Sequence, residues 1–181
     1  MGQDELLREA GELAPALEEL FHTIHQNPEL GRREYRTAAL IRRRLEAMGI
    51  EAVPMAGTGV MGVIRGGLPG KCLGFRADMD ALPITEETGL PYASRTAGVM
   101  HACGHDFHIT ALLGAAELLA RRRETLSGNV KFFFQPDEEH AFKFQPLDRV
   151  NGGERHVVAL VHLVRVRIER DQLQEIGRAH V

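Results

Sequence analysis

Leu6, Leu7, Ala10, Leu13, Ala14, Leu17, Leu20, Phe21 and Ile24 recur at three- and four-residue spacing, which predicts an amphipathic helix from near the N-terminus to Gln26. Asn27-Pro28 ends it, because the residue before a proline is pushed out of the helical region. A second helix is predicted over Arg36 to Met48, with Ala38, Ile41, Leu45 and Met48 along one side and Gly49 as a left-handed cap. Gly59 to Ile64 and Cys72 to Ala77 read as strands joined through the glycine-proline turn Gly66 to Gly70. Ala81 to Val99, punctuated by Pro83, Gly89, Pro91 and Gly98, reads as a long loop, a type that is usually functional or mobile. A third helix follows over Phe107 to Arg123, with Ala111, Leu112, Ala115, Leu118 and Leu119 inward, and then an aromatic strand, Val130 to Phe134. Helices alternating with short apolar strands predict an α/β fold, a layered sheet with helices on both faces.

Composition narrows the function more than the fold. At 181 residues the chain suffices for one domain with a sizeable core, and its 44% hydrophobic and 26% charged content is that of a soluble globular protein. A net charge of −3 gives no electrostatic footprint for nucleic acid or an anionic membrane, so neither is expected as a partner. The basic triplets Arg42 to Arg44 and Arg121 to Arg123 fall at predicted helix C-termini, where they complement the helix dipole. No run approaches the roughly 20 apolar residues that span a bilayer, and the acidic N-terminus lacks a signal-peptide pattern. Two cysteines, Cys72 and Cys103, make no disulfide framework, which predicts a reducing, cytoplasmic setting.

The densest chemistry lies in Met100-His101-Ala102-Cys103-Gly104-His105-Asp106-Phe107-His108, just ahead of the third helix. Its mix of sulfur, nitrogen and oxygen donors suits zinc, manganese, cobalt or nickel and suits calcium poorly. The aromatic strand delivers Gln135-Pro136-Asp137-Glu138-Glu139, paired carboxylates at a strand end, where open α/β enzymes keep their chemistry. Asp78-Met79-Asp80 lies just past another strand. A lone histidine, cysteine or Glu-Glu pair is usually structural or solvated, but the cluster as a whole points to metal-assisted hydrolysis.

Four motifs in order carry a resemblance: His25-Gln26-Asn27-Pro28-Glu29-Leu30, Arg76 to Ile84, Met100 to Asp106 and Gln135 to Glu139. Together, over about Leu17 to Glu139, they closely resemble the M20 metallopeptidase family. Within it they are nearest the amidohydrolases that cleave N-acyl amino acids, including hippurate and auxin-conjugate hydrolases. The resemblance implies the N-terminal part of a zinc-peptidase-like catalytic domain over residues 1–139. It implies two divalent ions, with Cys103, His105 and Glu139 as ligands and Glu138 as the catalytic base and then acid. His101, Asp106 and His108 are expected to orient these ligands, and Asp78 and Asp80 to support the site from the neighbouring strand end. The implied substrate is a small amide.

The match weakens after Glu139. Residues 140–181 read as a poorly matching continuation, although Val157 to Leu163 resembles a family strand that carries a further ligand, here His162. Ile176 to Val181 can be encoded by a run resembling a sequencing adapter, so His180 is given no functional weight. Family members are roughly twice this length and insert a lid domain often used for dimerisation. A fragment without that half is expected to be catalytically silent. Two alternatives remain open: a truncated metal-binding remnant without turnover, and a single-zinc deacetylase or deaminase. The latter would need a third nearby histidine or cysteine and no Glu-Glu pair.

Overall fold

A computed structural model describes residues 3–139 and the backbone of 157–159. Its elements are α1 (Gln3–His25), α2 (Tyr35–Ala47), β1 (Glu51–Met55), β2 (Gly59–Arg65), β3 (Leu68–Asp78), α3 (His105–Ala120), a 3-10 turn (Arg123–Thr125), β4 (Ser127–Gln135) and β5 (Val157–Ala159). The strands form one mixed sheet in the order β1-β2-β4-β3-β5. β2 and β3 follow one another in sequence, but β4 lies between them, antiparallel to β2 and parallel to β3. That order follows from chain direction. β3 and β4 run parallel, so the chain must cross back over the sheet between them, and α3 is that crossover.

Alternation along the central strands defines the core. Val130, Phe132 and Phe134 of β4 face the helices with Val60 and Ile64 of β2 and Ala77 of β3, against Leu20, Ile24, Ile41, Leu45, Ile109 and Leu113. Phe132 and Phe134 are fully enclosed, and the Phe132 ring stacks on Phe75 at 6.2 Å. The expected α/β sheet with packed helices is present; the three described helices share one face of it, where helices on both faces were expected.

α1 and α3 pack antiparallel, as three contacts along their length record. His25 meets Asp106, Leu17 meets Gly114, and Glu9 meets Arg122 at 2.7 Å. A Cβ on Gly114 would lie 2.8 Å from Leu17 Cδ1, so glycine permits the close approach. Leu6 and Leu7, which share the apolar spacing of α1, stay exposed because α3 ends before it can cover them. β1 was not predicted from the sequence. Pro54 argues against a central strand, but β1 is at the sheet edge, where a missing N–H is tolerated.

Phe132 is the centre of this core, so Phe132→Ala is expected to cost about 3–5 kcal/mol of stability. Urea unfolding followed by circular dichroism measures it. A loss under about 1 kcal/mol would show that the aromatic strand does not carry the core.

Candidate metal centre

Three segments converge at the C-terminal ends of the parallel neighbours β3 and β4. Asp78 and Asp80 leave β3, Asp137 to Glu139 leave β4, and Cys103 to His108 enter α3. Gly104, at φ 88°, makes the turn that puts His105 at the first position of the helix, two residues before the predicted start. A side chain there would be strained.

His105 is buried and its orientation is set by one neighbour. Its Nδ1 lies 2.8 Å from the Asp80 carbonyl oxygen and 3.2 Å from Asp80 Oδ1. A carbonyl can only accept, so Nδ1 carries the proton, and in the neutral ring Nε2 keeps a lone pair. Nε2 faces Glu138 Oε2 and Glu139 Oε1, each 3.8 Å away. Donor atoms of Cys103, His105 and Glu139 all lie within 4.8 Å of one another. Glu139 Oε1 is buried without a hydrogen-bond partner among the described residues. An orphaned carboxylate oxygen beside a thiol and a free imidazole nitrogen fits a borderline divalent ion.

A second group shares the same imidazole. Asp78, His105 and His108 also bring donor atoms within 4.8 Å, with His108 Nδ1 3.8 Å from Asp78 Oδ2 and the two rings 5.6 Å apart. Cys103, His105, Glu138 and Glu139, all predicted as site residues, therefore lie together, and Asp78 and His108 adjoin the same imidazole. His162 lies outside the described residues. His101 is buried with neither ring nitrogen hydrogen-bonded among the described residues.

The electrostatics of these groups suit a cation. Desolvation, then the carboxylates of Glu139, Glu138 and Asp78, push the Cys103 thiol up to about 11. A helix N-terminus usually lowers a thiol pKa, and here burial and the carboxylates act in the opposite direction. Burial and the nearby Asp78 charge raise Glu138, with Glu139 adding to the effect. Burial opposes charge on His105, but Asp80 and Asp78 outweigh it and raise its pKa. Burial likewise opposes ionisation of Asp80, but His105 and the Glu139 amide hold its pKa down. A divalent ion would reverse the penalty on the thiol and displace protons from its ligands.

Behind the site, His25 bridges two carboxylates that sequence analysis did not connect. Its Nδ1 is 2.6 Å from Asp106 Oδ2 and its Nε2 is 3.2 Å from Glu86 Oε1. Glu86 belongs to the long loop and also accepts from Thr88 Oγ1 and the Ser94 amide. The loop is thereby tied to α1 and to the start of α3. Only the spacing of His25 in its motif gave any signal, and spacing does not reveal a partner 81 residues away.

The geometry stands beside clear sequence and structural relatives. Peptidase family M20/M25/M40 matches residues 74–181. The N-acetyl-L-cysteine deacetylase of Bacillus subtilis is 52% identical over 117 residues, 64% of this chain and 28% of that protein. The IAA-amino acid hydrolase ILR1-like 2 of Arabidopsis thaliana is 53% identical over 143 residues, 77% of this chain and 32% of that protein. The crystal structure of the Bacillus subtilis YXEP protein, described as a dinuclear metal binding peptidase from the M20 family, superposes with a TM-score of 0.70 and 45% identity. The match covers 73% of this chain and 37% of that one. The chain belongs to the M20/M25/M40 peptidase family. It spans about a third of the length of the curated relatives it matches.

Burial opposes the charge on His25, but Asp106 and Glu86 outweigh it, so its pKa is raised. Its stabilising contribution is therefore full below the ordinary histidine value of about 6.5 and is lost as pH rises through the higher folded value. His25→Gln is expected to cost about 1–3 kcal/mol near pH 6, the scale of a charge-assisted hydrogen bond. The gap to wild type should narrow at alkaline pH. Unfolding curves across pH check this, and a gap that widens with pH would contradict it.

Proposed function

We propose that this protein takes part in metal-dependent hydrolysis of the amide bond of N-acyl amino acids or related conjugates. The observation that supports the reading most is the Cys103, His105 and Glu139 donor set, within 4.8 Å, beside the Glu138 carboxylate. Residues 1–139 form the N-terminal part of the catalytic domain, residues 140–181 are a poorly matching continuation, and His162 within them is a candidate for a further ligand. Zinc, manganese, cobalt and nickel all suit the donor set, and two ions are expected. The two free thiols, Cys72 and Cys103, accord with a reducing, cytoplasmic setting. No described helix is long and apolar enough to cross a membrane.

When bound, the ion supplies a Lewis acid that polarises the amide carbonyl and acidifies water. This chain's residues do the rest. Asp80 holds the His105 ring so that Nε2, not Nδ1, is offered to the ion. Glu139, its backbone N–H donating to Asp80 Oδ2 at 2.9 Å, presents a carboxylate oxygen from the neighbouring strand end. Glu138 stands beside it, its Oε2 3.8 Å from His105 Nε2, in reach of a water at the ion. It accepts the proton of the attacking water and returns it to the leaving amine. Adjacent residues cannot readily share one role, so one carboxylate holds the ion and the other moves the proton.

Cys103→Ala and His105→Ala are expected to weaken retention of zinc, manganese, cobalt or nickel, measured by elemental analysis after dialysis. Retention equal to wild type in both would remove the donor set from consideration. Glu138→Gln keeps shape but cannot accept a proton. In the full-length parent it should leave metal content intact and lower turnover of hippurate, acetylated amino acids or auxin conjugates by about a hundred- to ten-thousand-fold. Equal rates on that panel would refute the general-base role.

A further inference from the structure

Glu34 is a fully buried carboxylate at the N-cap position of α2, yet it makes no side-chain cap bond. Capping falls to Glu29 instead, whose Oε1 accepts from the Arg36 amide at 3.2 Å and whose Oε2 accepts from the Thr37 amide at 2.8 Å. Glu34 turns inward. Its Oε1 accepts from the Asp137 backbone N–H at 2.8 Å, and its Oε2 accepts from the Thr58 hydroxyl. Burying a carboxylate is costly, and an apolar side chain would avoid that cost, so its placement needs a further reason.

That reason is the residue it holds. Asp137 sits at φ 54°, in the left-handed region that side chains seldom adopt. Three neighbours keep it there. Glu34 takes its N–H, Arg32 Nε donates to its Oδ2 at 2.6 Å, and Gly31 leaves room for it. A Cβ on Gly31 would lie 2.2 Å from Asp137 Oδ1. Two residues later the Glu139 N–H is fixed by Asp80 Oδ2. The span from Asp137 to Glu139 is thus clamped at both ends by buried carboxylates, with Glu138 between them.

We infer that Glu34 is a positioning residue: through the Asp137 backbone it aims Glu138 and Glu139 into the candidate metal centre. This rests on the reading of those two glutamates given above. Glu34 touches no donor atom of the centre itself. Its effect passes through the backbone turn.

Four variants of the full 181-residue chain test it. Glu34→Leu removes the acceptor, and Gly31→Ala displaces Asp137 from the opposite side while leaving Glu34 in place. Glu34→Gln keeps an oxygen for the Asp137 N–H and can donate to the Thr58 hydroxyl. Glu29→Gln removes a helix-cap bond from the same segment without touching Asp137. Two measurements are made: Co²⁺ affinity by titration of its absorption spectrum, and amide hydrogen exchange at residues 137–139 in the metal-free protein. Glu34→Leu and Gly31→Ala should each lose about 10–100-fold in Co²⁺ affinity, the usual scale for removing an orienting partner, and should exchange faster at 137–139. Glu34→Gln should stay near wild type on both. Glu29→Gln should lower only the unfolding midpoint. Wild-type affinity and wild-type exchange in folded Glu34→Leu would overturn the inference. So would an affinity loss in Glu29→Gln as large as in Glu34→Leu, since that marks a general structural effect. If Glu34→Leu does not fold, Gly31→Ala decides by the same criteria. If wild type binds no Co²⁺, the metal reading fails by itself, and exchange at 137–139 still decides whether Glu34 sets the turn.

Discussion

Asp80 joins the three segments on which the candidate centre depends, and it does so with three different atoms. Its carbonyl oxygen fixes the His105 tautomer, its Oδ1 lies beside the same ring, and its Oδ2 holds the Glu139 backbone. The end of β3, the start of α3 and the end of β4 are thereby held in one register. A charged residue that is almost wholly buried persists only when its partners repay the lost hydration, and here they are the parts of the site itself. Glu34 performs the corresponding task at Asp137, and His25 at Asp106. The turns that carry the candidate donors rest on buried carboxylates and an imidazole as well as on apolar packing.

The electrostatics of these residues point the same way. Asp78, Asp80, Glu138 and Glu139 gather around one imidazole and one thiol; burial and this negative charge make the thiol and Glu138 hold protons more tightly, and the charge does so for the imidazole against burial. Such a cluster is costly by itself and becomes favourable when a divalent cation supplies the missing charge. Ligand affinity and proton release are then coupled. The surrounding α/β framework is ordinary by comparison: an aromatic strand at the sheet centre, α1 laid antiparallel on α3, and a long loop tied down through Glu86. Its contribution is rigidity at the strand ends, where open α/β folds place their sites.

The helices and the aromatic strand were legible in the sequence because their apolar spacing is a local property. Leu13, Leu20, Ile24, Ile41 and Leu45 are buried as their periodicity required. The cluster from His101 to His108 and the Glu138-Glu139 pair were legible too, since donor residues so close in sequence stay close in any fold. Strand order was not legible, because hydrogen-bond partners are chosen after the crossover helix is in place, and β4 then enters between two strands that precede it. β1 was hidden by Pro54, whose cost disappears at an edge. Glu34 carries no mark in the sequence that sets it apart, and only the folded chain brings it to Asp137, 103 residues away. Chemical identity was thus set by short-range sequence. Tertiary structure decided which oxygen faces which amide, because burial makes those pairings obligatory and sequence separation leaves them unmarked.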